Sequence, residues 1–256
     1  MEEQNFKYQE PVEIQSVSSE VMSKTFMAKV FSWMSLGLIV TGLLSYLFGT
    51  VPNLMDMLTS SVQAIGSDGN MHTHLVNKPL AYVAMLAPFG LIMLMGFGAK
   101  RLSYPAMIGV FVLFSAILGI SLSTIFLIYT STSIFSIFFV TAAMFGAMAF
   151  LGYTTSTDLT KLGSILLMLL FGVIIASLVN FFLHSASFQY MISWLCVGIF
   201  TGLTAYDVQK IKKIGAEMSG DNATVGKASI FGALSLYLDF INLFLSLLMI
   251  FGNRRN

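Results

Sequence analysis

This chain of 256 residues is poor in charge and in cysteine and has no excess of either charge sign. Only 10% of its residues are charged, against about 25% in soluble domains, which excludes an ordinary water-soluble fold. A single cysteine, Cys196, allows no internal disulfide. The net charge of +1, without a basic face, excludes nucleic acid as an expected partner. The chain has no Gly-x-x-x-x-Gly-Lys-Ser/Thr motif, so we expect any transport to be passive and without a cofactor.

Long apolar runs take the place of the missing charge. Hydrophobic residues make up 56% of the chain, and runs of about 20 of them are long enough to cross a hydrocarbon core of about 30 Å. We therefore predict an all-α polytopic membrane protein that spans a lipid bilayer with seven helices. The predicted segments are residues 26–50, 80–98, two segments within 102–157 divided at 129–133, two within 162–206 divided at 184–187, and a last one ending at 252.

The segments outside these runs complete the predicted organisation. Residues 1–25 are polar and lack the basic and apolar stretches of a cleavable signal peptide, so we expect them to form a cytoplasmic N-terminal segment. Residues 26–252 form the seven-helix domain, and residues 253–256 form a short basic tail. Residues 51–78 are rich in Gly, Asn, Asp and Ser and are predicted to be a loop. The His72-Thr-His74 sequence there lacks a nearby Cys or carboxylate cluster, so we do not favour a metal site.

Basic residues set the predicted orientation. With a cytoplasmic N-terminus, ten of the thirteen Lys and Arg residues lie inside, and Lys78, Arg254 and Arg255 lie outside. If the last segment entered and returned on the same side, the division would be twelve to one. We favour a full crossing, because the run of about 24 residues is long enough, and a re-entrant segment remains the alternative.

Asp239 is the residue that most needs explanation, because it lies in the middle of the last apolar run. An aspartate at such a position costs about 2.5 to 3.5 kcal/mol on membrane-insertion scales, which indicates a function or an offsetting partner. Small and polar residues recur around it at helical spacing and define one stripe, which should face protein or water. The stripe consists of Gly232, Ser235, Asp239, Asn242 and Ser246. We treat Ser235, Asn242 and Ser246 as candidates for lining a pore.

Asp207, near the end of the sixth segment, is the second carboxylate. Two carboxylates close together in a low-dielectric site cannot both ionise cheaply, so such a pair would share a proton. When ionised, Asp207 and Asp239 would offer oxygen ligands to Ca²⁺, in competition with protons. Depth argues against contact, since Asp239 lies about 18 Å past Lys227 and Asp207 only about 4 to 5 Å before Lys210.

Contact would require the sixth helix to continue past Asp207 as a buried or tilted helix, or a water-filled vestibule at its inner end. The alternatives are an interfacial Asp207 with a lysine partner, and an Asp239 with a structural hydrogen bond to Ser, Asn or Tyr. Lys100 and Arg101, after the second segment, could pair with a buried aspartate, although snorkelling at the end of a helix is the simpler interpretation.

Several stretches resemble one known family. Residues 234–244, Leu-Ser-Leu-Tyr-Leu-Asp-Phe-Ile-Asn-Leu-Phe, followed by 250–255, Ile-Phe-Gly-Asn-Arg-Arg, are similar to the C-terminal signature of the transmembrane Bax inhibitor motif family, in its bacterial branch. Residues 26–34 and 152–163 also resemble that branch. The resemblance implies six helices around a central seventh, a bacterial inner membrane, and a pH-sensitive Ca²⁺ leak. It also implies that Asp207 and Asp239 form a proton-sharing sensor, with Lys100 or Arg101 as a latch that holds the first of them when the pore is shut.

Three functions are therefore compared. The first is a proton-gated cation leak through the carboxylate pair, with calcium ions and protons as its partners. The second is a non-conducting regulator that binds other membrane proteins, such as a membrane protease. The third is an intramembrane aspartyl protease, which we disfavour because residues 236–239 are Leu-Tyr-Leu-Asp and lack the required Gly-x-Gly-Asp. We expect no enzymatic activity.

Overall fold

The computed structural model describes residues 10–65, 71–218 and 221–255, with side chains described for 21–60, 76–218 and 221–255. Its elements in chain order are α1 (Glu10–Thr50), α2 (Pro52–Leu58), β1 (Thr59–Ile65), β2 (Met71–Asn77), α3 (Pro79–Gly98), α4 (Tyr104–Leu122), α5 (Ile125–Ile128), α6 (Ser131–Thr154), α7 (Thr160–Leu183), α8 (Ala186–Glu217) and α9 (Asn222–Phe251).

Seven helical segments of the described chain are long and apolar enough to cross a membrane, which confirms the predicted all-α class and the predicted number of spans. α4 and α5 together make the third span, and α1, α3, α6, α7, α8 and α9 supply the others. α1 begins at Glu10, well before the predicted start at residue 26. The apolar run indicates where the helix becomes lipid-compatible and does not indicate where it begins, because a helix can extend beyond the bilayer.

The predicted breaks between apolar segments lie where expected. α5 ends at Ile128 and α6 begins at Ser131. α7 is closed by His184, which adopts the left-handed conformation with φ of 52°. Ser185 then caps α8 by accepting a hydrogen bond from the Phe188 N–H. Short polar residues therefore interrupt the charge-free runs by ending one helix and starting the next.

The connection over residues 51–78 differs from the predicted loop. It contains α2, which has Pro52 in its first turn, and an antiparallel hairpin of β1 and β2. The hairpin pairs Thr59 with Asn77 at its base, and the Lys78 N–H donates to the Leu58 carbonyl at 2.8 Å beside it. The backbone of the His72-Thr-His74 sequence belongs to β2, but the two imidazoles lie outside the described side chains.

The chain forms two compact units. The first unit comprises residues 1–34 and 137–251, and the second comprises 35–136 and 252–256. In the first unit α9 is the most deeply buried helix. In its most apolar stretch 56% of the residues are buried, against 17% in α7. Phe138 and Phe145 of α6 pack edge-on against Phe240 of α9, at ring-centroid distances of 5.4 and 5.6 Å. Within this unit, α9 is therefore the most buried of the membrane-spanning helices.

α9 is continuous over its 30 residues and runs antiparallel to α8. Ser235 of α9 contacts Asp207 near the end of α8, and Phe251 at the end of α9 contacts Trp194 near the start of α8, with ring centroids 5.7 Å apart. A helix of this length extends about 45 Å, more than the hydrocarbon core. The full crossing is therefore supported, and no re-entrant turn interrupts residues 222–251.

The second unit contains the C-terminal tail. Arg254 forms an antiparallel bridge with Tyr129, the Thr130 N–H donates to the Asn253 carbonyl at 3.1 Å, and the Arg255 N–H donates to the Ile128 carbonyl at 2.8 Å. Arg254 and Arg255, two of the three basic residues predicted to lie outside, are thus beside the connection between α5 and α6. A cytoplasmic N-terminus and seven crossings would place that connection outside as well.

Candidate functional site

Asp207 lies well inside α8. The helix continues for ten residues beyond it to Glu217, and Val208, Gln209 and Ile211 are all buried. With Lys210 as the membrane boundary, contact between Asp207 and Asp239 would be difficult. The continuation of α8 as a buried helix is one of the two conditions stated for that contact.

The structure brings the two aspartates together on facing helices. The Ser235 hydroxyl on α9 donates a hydrogen bond to Oδ2 of Asp207 on α8. Asp239 follows Ser235 by one helical turn, on the same face of α9. It lies close enough to Asp207 for their charges to interact. Ser235, predicted only as a pore-lining candidate, is therefore the residue that links α8 and α9 at the carboxylate pair.

Asp239 is almost completely buried, with 5% of its surface exposed. Its Oδ2 atom has no hydrogen-bond partner among the described residues. The alternative of a structural hydrogen bond from Ser, Asn or Tyr therefore does not account for this oxygen. A buried oxygen without a partner costs about 1 to 3 kcal/mol, and more when it is charged.

The remaining polar residues of the α9 stripe are satisfied by α9 itself. The Asn242 side-chain amide donates to the Leu238 carbonyl at 2.8 Å, and the Ser246 hydroxyl donates to the Asn242 carbonyl at 2.7 Å. Ser246 also contacts the Cys196 thiol of α8. Among the predicted stripe residues with described side chains, only Ser235 bonds to a carboxylate.

The alternative lysine partner of Asp207 is present but does not replace Ser235. The charge of Lys210 acts on Asp207, while the Lys210 ammonium lies 5.8 Å from the centre of the Tyr206 ring. Asp207 is therefore held by a hydrogen bond across the interface with α9 and influenced by one cation on its own helix.

The opposite side of α8 is fastened to the connection between α6 and α7. Gln209 is buried, its Oε1 accepts from the Leu159 N–H at 2.9 Å, and its Nε2 donates to the Thr157 carbonyl at 2.8 Å. The Lys212 ammonium donates to the Tyr153 carbonyl at 2.8 Å and lies 4.5 Å from the centre of the Tyr153 ring. The sequence argument did not identify Gln209.

An exposed ion pair also joins α8 to the connection between α6 and α7. Asp158 accepts from the Thr160 hydroxyl at 2.7 Å and from the Lys213 ammonium at 2.9 Å. These hydrogen bonds, the Thr160 contribution first, lower the pKa of Asp158 to about 2. Asp158 therefore stays ionised throughout the physiological range.

Two glycines let neighbouring helices approach α8 at the level of Asp207. A Cβ atom on Gly152 of α6 would lie 2.2 Å from the Ala205 carbonyl oxygen, and one on Gly163 of α7 would lie 2.4 Å from the Tyr206 ring. No side chain fits at either distance. Both glycines belong to residues 152–163, one of the stretches that carry the family resemblance. These residues therefore allow α6 and α7 to pack closely against α8.

Lys100 and Arg101 follow α3 in an exposed turn of the second unit. Their role as a latch for Asp207 stays a prediction.

Comparisons with known proteins agree with this architecture. Residues 23–256 match the family described as "Inhibitor of apoptosis-promoting Bax1". The chain is 43% identical over 234 residues to the inner membrane protein YbhL of Escherichia coli, covering 91% of this chain and 93% of YbhL. It is 41% identical over 247 residues to a protein of Borreliella burgdorferi, covering 96% and 99% of the two chains. A Caulobacter vibrioides protein is 38% identical over 245 residues, covering 96% and 95%.

The predicted family and the predicted location are thus confirmed. With seven helices able to span a membrane and a relative in the bacterial inner membrane, the protein is an integral protein of that membrane. The chain belongs to the Bax inhibitor-1 family.

Proposed function

We propose that this protein is a pH-sensitive passive leak for calcium or similar cations, gated by Asp207 and Asp239. The observation that carries the proposal is the buried Oδ2 of Asp239, which lacks a hydrogen-bond partner among the described residues. Asp239 lies one helical turn from Ser235, which binds the second carboxylate, Asp207. A buried acidic oxygen in that situation is expensive unless a proton or a cation neutralises it.

Proton sharing supplies the sensor. Asp207 accepts the Ser235 hydrogen bond, which suits an ionised carboxylate, whereas Asp239 has less to stabilise a charge. One proton on the pair allows α8 and α9 to stay in contact. Loss of that proton places two negative charges next to each other in a low-dielectric interior, which favours separation of the helices.

The same charges supply the cation site. Ca²⁺ prefers carboxylate and carbonyl oxygens, and two ionised aspartates would attract it without the full ligand set of a storage site. A permeant ion must be bound strongly enough to enter and weakly enough to leave. Protons and Ca²⁺ would compete for the same oxygens. The leak is expected to need no energy source and no catalysis.

The experiment is Ca²⁺ entry into liposomes that contain the purified protein, measured at several pH values between about 5 and 8, because two interacting carboxylates titrate as a pair. The unaltered protein, Asp239→Asn and Asp207→Asn are compared, with empty liposomes as the baseline. We expect a pH-dependent entry in the unaltered protein that either substitution abolishes or flattens. A folded protein without entry above baseline at any pH would reject the leak and leave the non-conducting regulator.

A further inference from the structure

Gln209 joins α8 to a different part of the chain from the one that Asp207 contacts. It is 7% exposed, and both ends of its amide are used, by the Leu159 N–H and by the Thr157 carbonyl. Both partners are backbone groups of the connection between α6 and α7. A buried amide with both groups satisfied fixes its helix more tightly than an apolar residue of the same size, because hydrogen bonds are directional.

The helical geometry places Gln209 and Asp207 on opposite sides of α8. Two residues correspond to about 200° of rotation around a helix. Asp207 faces Ser235 of α9, whereas Gln209 faces the connection at residues 157–159. The same turn of α8 is therefore held from two sides, so that rotation of α8 about its own axis would break contacts on both.

Neighbouring charged groups strengthen this attachment without making it sensitive to pH. Lys212 binds the Tyr153 carbonyl, and Lys213 pairs with Asp158. The pKa of Asp158 is about 2, and the amide of Gln209 does not titrate, so the attachment has the same charges from mildly acid to neutral conditions. These contacts therefore hold α8 to the α6–α7 connection equally well over this pH range.

We propose that Gln209 is a positioning residue that holds the Asp207 carboxyl against α9 by fixing the rotation of α8. The consequence for transport rests on the proposed leak, whereas the positioning itself does not. Loosening Gln209 would let Asp207 turn away from Ser235, and the contact that closes α8 against α9 would be weakened.

Asn180 provides a matched control. It is also 7% exposed, its Oδ1 accepts from the Ser185 N–H at 3.2 Å, and its Nδ2 donates to Gln189 Oε1 at 3.0 Å. It is therefore a second buried amide with two hydrogen bonds between α7 and α8. Gln189 precedes Asp207 by 18 residues, about 27 Å along the helix. Loss of Asn180 should cost similar stability without reaching the carboxylates.

The test replaces each amide with an apolar residue of nearly the same size, Gln209→Met and Asn180→Leu. Position is measured first, without any flux, in a Cys196→Ala background carrying Asp207→Cys and Ser235→Cys. The rate at which a short bifunctional thiol reagent joins the two cysteines reports how often position 207 faces position 235. We expect Gln209→Met to slow this reaction about fivefold and Asn180→Leu to change it less than about twofold, as for coupled and uncoupled sites.

Calcium entry at neutral pH is then measured for Gln209→Met and Asn180→Leu in the otherwise unaltered protein. Gln209→Met should raise entry about fivefold and Asn180→Leu less than about twofold. Equal cross-linking rates in the two amide variants would overturn the inference. An altered cross-linking rate without any Ca²⁺ entry in the unaltered protein would support the positioning role and reject the proposed leak.

A second variant covers the case in which Gln209→Met does not fold. Gln209→Glu keeps an acceptor for the Leu159 N–H and loses the donor to the Thr157 carbonyl. The second oxygen of an ionised Glu would lie against the Thr157 carbonyl and repel it, so we expect cross-linking to slow at least as much as in Gln209→Met, about fivefold. A rate equal to that of the parent double-cysteine protein would contradict the inference.

Discussion

Asp158 and Asp239 carry the same carboxyl group in opposite environments, one exposed and hydrogen-bonded, the other buried. Asp158 lies in the exposed connection between α6 and α7, with the Thr160 hydroxyl and the Lys213 ammonium bonded to it. Asp239 lies in the buried contact of α8 and α9, with one oxygen that has no hydrogen-bond partner among the described residues. The first carboxylate is satisfied by hydrogen bonds of the fold, whereas one oxygen of the second is not.

The difference separates the attachment of α8 to the α6–α7 connection, made by Gln209, Lys212 and Lys213, from the proposed sensor at the α8–α9 contact. The α6–α7 connection uses groups that keep their charge or have none, so its contacts stay constant as pH changes. At the level of Asp207, the α8–α9 contact contains two carboxylates and the Ser235 hydroxyl that joins the helices. In the proposed leak, a gate needs one fixed partner and one that responds, and α8 makes a contact suited to each role on opposite sides of one turn.

The largest expected effect comes from neutralising Asp239, with the neutralisation of Asp158 as the comparison. Asp239→Asn removes an ionisable group from the sensor, so the change in Ca²⁺ entry between acid and neutral pH should fall at least about tenfold. Asp158→Asn removes an exposed charge from the attachment and should leave the pH dependence unchanged. Liposome flux measures both. If Asp158→Asn flattened the pH dependence as much as Asp239→Asn, the division into sensor and attachment would be wrong.

The packing that supports α8 can be broken by a single methyl group. A Cβ atom on Gly152 would lie 2.2 Å from the Ala205 carbonyl oxygen, so Gly152→Ala should destabilise the protein by about 1 to 3 kcal/mol. Gly146, also in α6, has nothing within 4 Å of such an atom and is the control. Gly146→Ala should be neutral or stabilising by up to about 1 kcal/mol. Thermal unfolding in detergent compares them, and equal midpoints would contradict a close α6–α8 contact.

A third substitution tests whether the unsatisfied carboxyl of Asp239 destabilises the fold. Asp239→Leu replaces the buried carboxyl with an apolar side chain of similar size, so the orphaned oxygen no longer has to be buried. We expect unfolding to become harder by about 1 to 2 kcal/mol, even though the pH response is lost. A lower thermal midpoint than in the unaltered protein would instead show that Asp239 contributes structural hydrogen bonds.

The spans and the presence of the two aspartates could be predicted from the sequence, because apolar runs and a charge inside them are local signals. The meeting of Asp207 and Asp239 could not be derived from the residues alone. Lys210 looked like a membrane boundary, yet α8 continues to Glu217 with buried side chains. The family resemblance implied the pair, and the structure places Ser235 between the two helices there.

The attachment at Gln209 left no signal of its own in the sequence. Its partners are backbone groups about 50 residues earlier, at Thr157 and Leu159, and any residue type can supply them. The hairpin of β1 and β2 was missed for a related reason, since its polar strands do not alternate strongly enough to stand out from a loop. Helices marked by long apolar runs were predictable, and contacts between distant parts of the backbone were not.

The smallest expected effect concerns the pH dependence of stability at Asp158. Its pKa is lowered from 3.8 to about 2 in the fold, so its stabilising contribution is fully present above about pH 4 and is lost as the pH falls towards 2. Asp158→Asn should therefore lower the thermal midpoint slightly, and by the same amount at pH 5 and pH 8. The difference should shrink only below about pH 4. A gap that changed between pH 5 and pH 8 would mean that the α6–α7 connection also titrates in the physiological range, and the contrast with Asp239 would no longer hold.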